Sequence, residues 1–116
     1  MKLRTDAGTI EITNDVFTAI SGCAATNCFG VKGMAMRSVT DGFVHLLKRE
    51  SMSRGVAVTF TEQDELNIEL HIIIKNGVNI VALCRSIMSQ VSYHVSRLTG
   101  VKVAAVHVFV DLIMPD

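Results

Sequence analysis

Two glycines flanking a valine and a lysine, Gly30-Val31-Lys32-Gly33, are the residues of this sequence whose types and spacing come closest to a known chemistry. Glycine-rich turns with a basic residue can cradle phosphate on backbone N–H groups. A P-loop, however, needs G-x-x-x-x-G-K followed by Ser or Thr, with a strand before it and a helix after it, and here the spacing is short and a helix precedes. A KH-type G-x-x-G loop clamps nucleic-acid backbone, and its element order can be drawn over residues 8 to 98. Against that stand the seven residues "MAMRSVT" before the next helix and a formal net charge of zero, which offers little attraction to phosphates. The third reading is a structural bend.

Other reactive side chains form no recognisable constellation. Cys23 and Cys28 lie five apart on a predicted helix, which turns them about 140° from one another and away from a common metal. His45, His71, His94 and His107 show neither H-x-H nor H-E-x-x-H spacing, and His107 reads as a hydrogen-bonded core or interface residue on an apolar strand. There is no G-x-S-x-G elbow to expose a nucleophile. Glu62, Asp64 and Glu65 crowd a predicted hairpin tip, where solvation keeps their carboxylates from splitting into an acid and a base. No catalytic residue, metal site or cofactor site is assigned, and the expectation is a protein that is not an enzyme.

The elements that would position these residues follow from periodicity. A strand is predicted over Gly8–Ile12. A helix follows, capped by Asn14 or Asp15, with Val16, Ile20, Cys23 and Ala24 at helical spacing and Gly30 ending it. The extended "VKGMAMR" leads to a short helix, capped by Thr40 or Asp41, that buries Phe43, Leu46 and Leu47, and then to a polar connection from Lys48 to Arg54. "GVAVTF" and "LNIELHIIIK" alternate, and the five polar residues Thr61–Glu65 between them predict an antiparallel hairpin. The longest helix starts at an Asn79 cap, carries the stripe Ile80, Cys84, Ile87, Met88, Val91, Val95 and Leu98, and stops at Gly100. The last strand places Val101, Val103, Ala105 and Phe109 on one face and Val106, Val108, Val110 and Leu112 on the other. Apolar on both faces, it is either central in a covered sheet or has a second face packed on another chain, and Val106, Val108 and Val110 are the candidate oligomer face. The sum is a single α+β domain over residues 1–116: a small mixed sheet with helices packed on it, and a long helix near the C-terminus followed by a final strand.

Composition narrows the function classes. With 49% hydrophobic residues in 116, the chain can bury one core, and that core must be aliphatic because there is no tryptophan and five phenylalanines are joined by one tyrosine. Eleven basic and eleven acidic residues cancel, so no long-range field collects nucleic acid or an anionic membrane. The N-terminal "MKLRTDAGTIEI" lacks the apolar segment of a secretory signal, and no apolar run is long enough to span a bilayer, so direct membrane insertion is not expected. Three cysteines, an odd number, fit a reducing cytoplasm.

The runs "GTIEITNDVF", "GVKGMA", "DGFVHLL", "SRGVAVTF", "LNIELHIII" and "TGVKVAAVHVFV", in this order from about Leu3 to Leu112, resemble the alkaline-shock protein family, the envelope stress response proteins of Gram-positive bacteria. The "DGF" and "SRGV" pieces are most similar to its small, single-domain, housekeeping-type members. The resemblance implies no enzymatic activity and no cofactor. It implies a cytoplasmic domain that self-associates and acts in envelope stress response or homeostasis through protein contacts, with a membrane-anchor protein or a fatty-acid metabolism protein as partner. Within it Gly30, Val31, Gly33 and Met34 are signature positions, read as a bend in which Gly33 lets backbone pass close to a neighbour while Met34 and Met36 pack under the sheet. The KH-like module remains the alternative from another class.

Overall fold

The computed structural model describes residues 1–37, 44–47 and 53–115. Its elements in chain order are β1 (Lys2–Thr5), β2 (Gly8–Glu11), α1 (Asn14–Thr26), β3 (Val31–Arg37), β4 (Val44–Leu46), β5 (Val56–Phe60), β6 (Leu66–Lys75), α2 (Ile80–Thr99) and β7 (Val103–Met114). The α+β class, the hairpin and the long helix before the last strand are all as the sequence pattern indicates.

β6 organises the sheet. β7 runs parallel beside it along its whole length, while the opposite edge is shared by antiparallel β5, over residues 66–70, and antiparallel β3, over residues 72–74. β4 extends the sheet beyond β3. A parallel pair requires a long crossover, and α2 supplies it between β6 and β7. Leu66, Ile68, Leu70, Ile72 and Ile74 alternate onto the face covered by the helices, where they meet Phe17, Ile87, Val91 and Val95. Each such fully buried side chain stabilises the fold by about 1.5–3 kcal/mol relative to exposure.

The caps follow local chemistry. Asn79 Oδ1 accepts from the Ala82 N–H at 3.0 Å, and Gly100 adopts the left-handed φ of 76° that ends α2. In the β5–β6 loop, Thr61 Oγ1 accepts from the backbone of Gln63 and Glu65, and Asp64 takes a φ of 59°, which an aspartate tolerates better than most residues.

Several expectations are corrected. β1 forms where the sequence pattern predicts no strand: it pairs with β2 in a separate, exposed hairpin, and the two strands meet through Leu3 opposite Ile10. The N-cap of α1 is Thr13 rather than Asn14 or Asp15, and it makes no side-chain capping bond. The buried face of α1 is Phe17, Ser21, Gly22, Ala24 and Ala25, so Val16 and Cys23 point to solvent; Ser21 is tolerated inside because its hydroxyl donates to the Phe17 carbonyl at 2.7 Å. In α2 the buried stripe is Leu83, Ile87, Val91 and Val95, which leaves Ile80, Met88 and Leu98 outside it. The helix expected to bury Leu46 and Leu47 is instead strand β4, with Leu46 exposed, because β3 offers it an antiparallel edge. Its proposed caps Thr40 and Asp41, and Phe43, lie outside the described residues, as does Lys48 to Met52 of the polar connection.

β7 is neither central nor strictly alternating. Register shifts after Leu66 and after Ile72 make Ala104 and Asp111 extra residues opposite β6. Each bulge moves the next residues to the other face, so Val103 joins Val106, Val108 and Val110 on the inner face, and Ala105, His107 and Phe109 line the outer one.

Candidate functional site

The segment Gly30–Gly33 enters the sheet. Gly30 has a φ of 102°, and its carbonyl accepts from the Lys75 N–H at 2.9 Å, which ties the start of β3 to the end of β6. The register then shifts between Val31 and Gly33, making Lys32 a bulge residue. That bulge explains why Val31 and Met34, three apart, are both buried against the core while Lys32 stays exposed. Gly33 faces the outer side opposite Ile73, and a side chain there would meet only the Leu46 Cδ1 end, at 2.7 Å. Gly33 does have a close neighbour, but it is the end of a flexible side chain, and the close approach to backbone is found at Gly55 instead. A methyl group on Gly30 would sit 3.0 Å from Val78 Cγ1, and one on Gly55 would sit 2.9 Å from Met34 Cβ and 3.0 Å from the Ala35 carbonyl oxygen. Met36 is 39% exposed and lines the outer-face basin rather than packing beneath the sheet. With the glycine segment inside a bulged strand that leads to β4, the loop between two helices that a KH clamp requires is not formed.

The candidate oligomer face is placed inward. Val106 is buried in the core and Val108 and Val110 pack against it, so these valines belong to the domain's own interior.

Among the described residues, two concave surfaces bring polar or reactive side chains together. On the outer face of the sheet, His71 Nδ1 and Asp111 Oδ2 are 3.0 Å apart, and the His71 ring stacks on Phe109 with centroids 4.7 Å apart and planes 10° from parallel. A basin of about 350 Å³ beside them is lined by Ala35, Met36, Arg54, His71 and Asp111. This is a fixed imidazole with a carboxylate partner, and among the described residues the lining offers no hydroxyl or thiol for it to activate. His71 and Asp111 are forty residues apart in sequence, and only the parallel pairing of β6 with β7 joins them. The polar Asn67, Glu69 and His71 between the buried residues of β6 were the available signal that this face is open.

The second surface is a groove of about 320 Å³ between the helices, lined by Ala19, Ile20, Cys23, Ala24, His94 and Leu98 among others. Small residues on α1 leave the channel open, and Leu98, 67% exposed, forms its lip. An adjoining hollow of about 260 Å³ reaches Phe29, which is 88% exposed with Lys75 Nζ 5.5 Å from its ring centre. Periodicity alone had placed Leu98 in the core and assigned Phe29 no role. The thiols differ by position. Cys23 is exposed, whereas burial pushes the Cys28 and Cys84 thiols above their ordinary value of 9.0, an effect that a hydrogen bond with Ser86 partly offsets at Cys28. Among the described residues no three His, Cys, Asp or Glu side chains gather as a metal site.

Comparison with known proteins gives one consistent family. The model of the alkaline-shock protein 23 family, described as having a cell envelope-related function, matches residues 2–115. The chain is 34% identical over 112 residues to the uncharacterized protein YloU of Bacillus subtilis strain 168, covering 96% of this chain and 92% of that protein. It is 32% identical over 112 residues to the uncharacterized protein Spy1614 of Streptococcus pyogenes serotype M6, again covering 96% of this chain and 92% of the relative. No solved structure gives a significant match.

Proposed function

From the premise that this chain belongs to the alkaline-shock protein family, whose function is cell envelope-related, we propose that it is a non-enzymatic interaction protein of envelope homeostasis. It works from the cytoplasm and reaches the membrane through a partner protein, its groove between α1 and α2 receiving an apolar segment of that partner. The observation that carries this reading is the groove itself. Large apolar side chains left in water beside a channel of small residues mark a surface that another molecule covers, since a contiguous apolar patch is costly to leave exposed. Leu98 in its lining and Phe29 in the adjoining hollow have the size and exposure of interface anchors. Among the described residues no helix is long and apolar enough to cross a membrane, so membrane contact is assigned to the partner.

The test is cross-linking in native cells followed by purification of the tagged chain and mass spectrometry of the membrane fraction. The expected result is an integral envelope protein linked to α1 or α2 and lost in Leu98→Glu, a variant whose side chain is exposed and whose melting temperature should stay close to that of the unmodified protein. An interaction profile unchanged by Leu98→Glu would refute the assignment of the groove.

A further inference from the structure

Strand β7 presents a long bare edge. Among the described residues its one strand partner is β6, so the opposite row of backbone N–H and C=O groups has no strand beside it. Natural sheets blunt such edges with lysine, proline or bulges, because an open edge templates pairing with another chain. Here Lys102 and Pro115 fall outside the strand, and between the bulges at Ala104 and Asp111 runs Ala105–Val110, in which His107 is the only polar residue.

We propose that this edge pairs antiparallel with β7 of a second copy, about a twofold axis at Phe109, so that two sheets become one. This rests on reading the chain as an interaction protein, and it names the self-contact. A twofold perpendicular to the sheet keeps inner residues on the inner face. Centred on Phe109, it sets Val108 opposite Val110 of the partner subunit, extending the apolar inner layer across the junction. On the outer face Phe109, still 43% exposed in one chain, meets its own counterpart, and exposed His107 faces Asp111 of the partner subunit on both sides of the axis. Asp111 accepts from His71 through one oxygen, and a carboxylate has further lone pairs for a second imidazole. Centring on Val108 instead sets His107 against phenylalanine and Asp111 against alanine, and centring on His107 sets imidazole against imidazole. The Phe109 register is the one in which charge and apolar character both match, and that self-complementarity singles out a second copy rather than a foreign strand as the occupant.

Sedimentation velocity on the full chain tests the pairing. The unmodified protein should sediment as a dimer that dissociates on dilution. His107→Asp sets carboxylate against carboxylate twice and should weaken the dimer roughly tenfold or more without altering the circular-dichroism spectrum, the side chain being exposed. Under mild oxidation Phe109→Cys should give a covalent dimer linked through the substituted position, because directly opposed residues of an antiparallel pair lie about 4.5–5.5 Å apart at Cα, within disulfide reach. Thr59→Cys on β5 should not. A monomer at every concentration, or a dimer that is indifferent to His107→Asp, overturns the proposal, and His107→Asp decides the matter if Phe109→Cys does not fold. Loss of the dimer with capture of the envelope partner intact would count against this pairing alone; the converse would count against the groove.

Discussion

Substituting the two glycines of the segment Gly30–Gly33 separately should reverse the ranking that its sequence pattern suggests. Gly30→Ala forces an L-residue to a φ of 102°, a backbone conformation that costs about 1–2 kcal/mol. Its new methyl group also meets Val78 Cγ1 at 3.0 Å and Leu83 Cδ2 at 3.3 Å, so neighbours on both sides must give way. Adding about 1 kcal/mol for that crowding gives a loss of about 2–3 kcal/mol. At roughly 4 °C per kcal/mol for a domain of this size, the melting temperature should fall by about 8–12 °C. Gly33→Ala has no positive φ to strain and meets one flexible Leu46 terminus on an exposed strand, so it should cost less than about 1 kcal/mol. Lys32→Asp, on the exposed bulge residue, should be nearly neutral, and binding of mixed single-stranded RNA at low salt should not depend on it. Urea and thermal unfolding followed by circular dichroism give all three values. Gly33→Ala proving the more damaging glycine change would refute the packing argument, and RNA binding abolished by Lys32→Asp would refute the bulged-strand reading of the segment.

The remaining predictions concern thiols, core and caps. Maleimide labelling at neutral pH should modify exposed Cys23 first, with Cys28 and Cys84 following slowly; equal rates for all three would contradict their placement. Because the Cys28 and Cys84 values are raised by burial, the folded state holds protons that the unfolded state releases above the ordinary value of 9.0, so stability should decline as pH rises beyond that point, and urea midpoints at pH 8 and pH 10 would show it. Ile72→Ala, at a fully buried position of the central strand, should cost about 2–5 kcal/mol in urea unfolding. Asn79→Ala removes the cap of α2 and should cost about 1 kcal/mol, an effect absent if the Ala82 N–H is satisfied otherwise.

Much of this fold was legible because local physics and tertiary packing agree. The alternation of β6, the β5–β6 hairpin and the Asn79 and Gly100 limits of α2 were all readable from residue type and spacing, since each depends on neighbours a few positions away. The alkaline-shock resemblance likewise agrees with the family match. Where neighbours come from elsewhere in the chain, the pattern misled. β4 follows a helical spacing of Leu46 and Leu47 with Phe43, yet it becomes a strand because β3 presents backbone groups to pair with. Under strict alternation the last strand is apolar on both sides, but the bulges at Ala104 and Asp111, fixed by register against β6, break that alternation. Which valines face inward, that β7 is an edge, and that His71 meets Asp111 and Phe109 were all decided by that one parallel pairing. Sequence by itself determined which segments are amphipathic, since hydrophobic period is a property of the chain. Only the tertiary structure decided which apolar surfaces stay uncovered, because exposure depends on what the rest of the chain leaves unfilled.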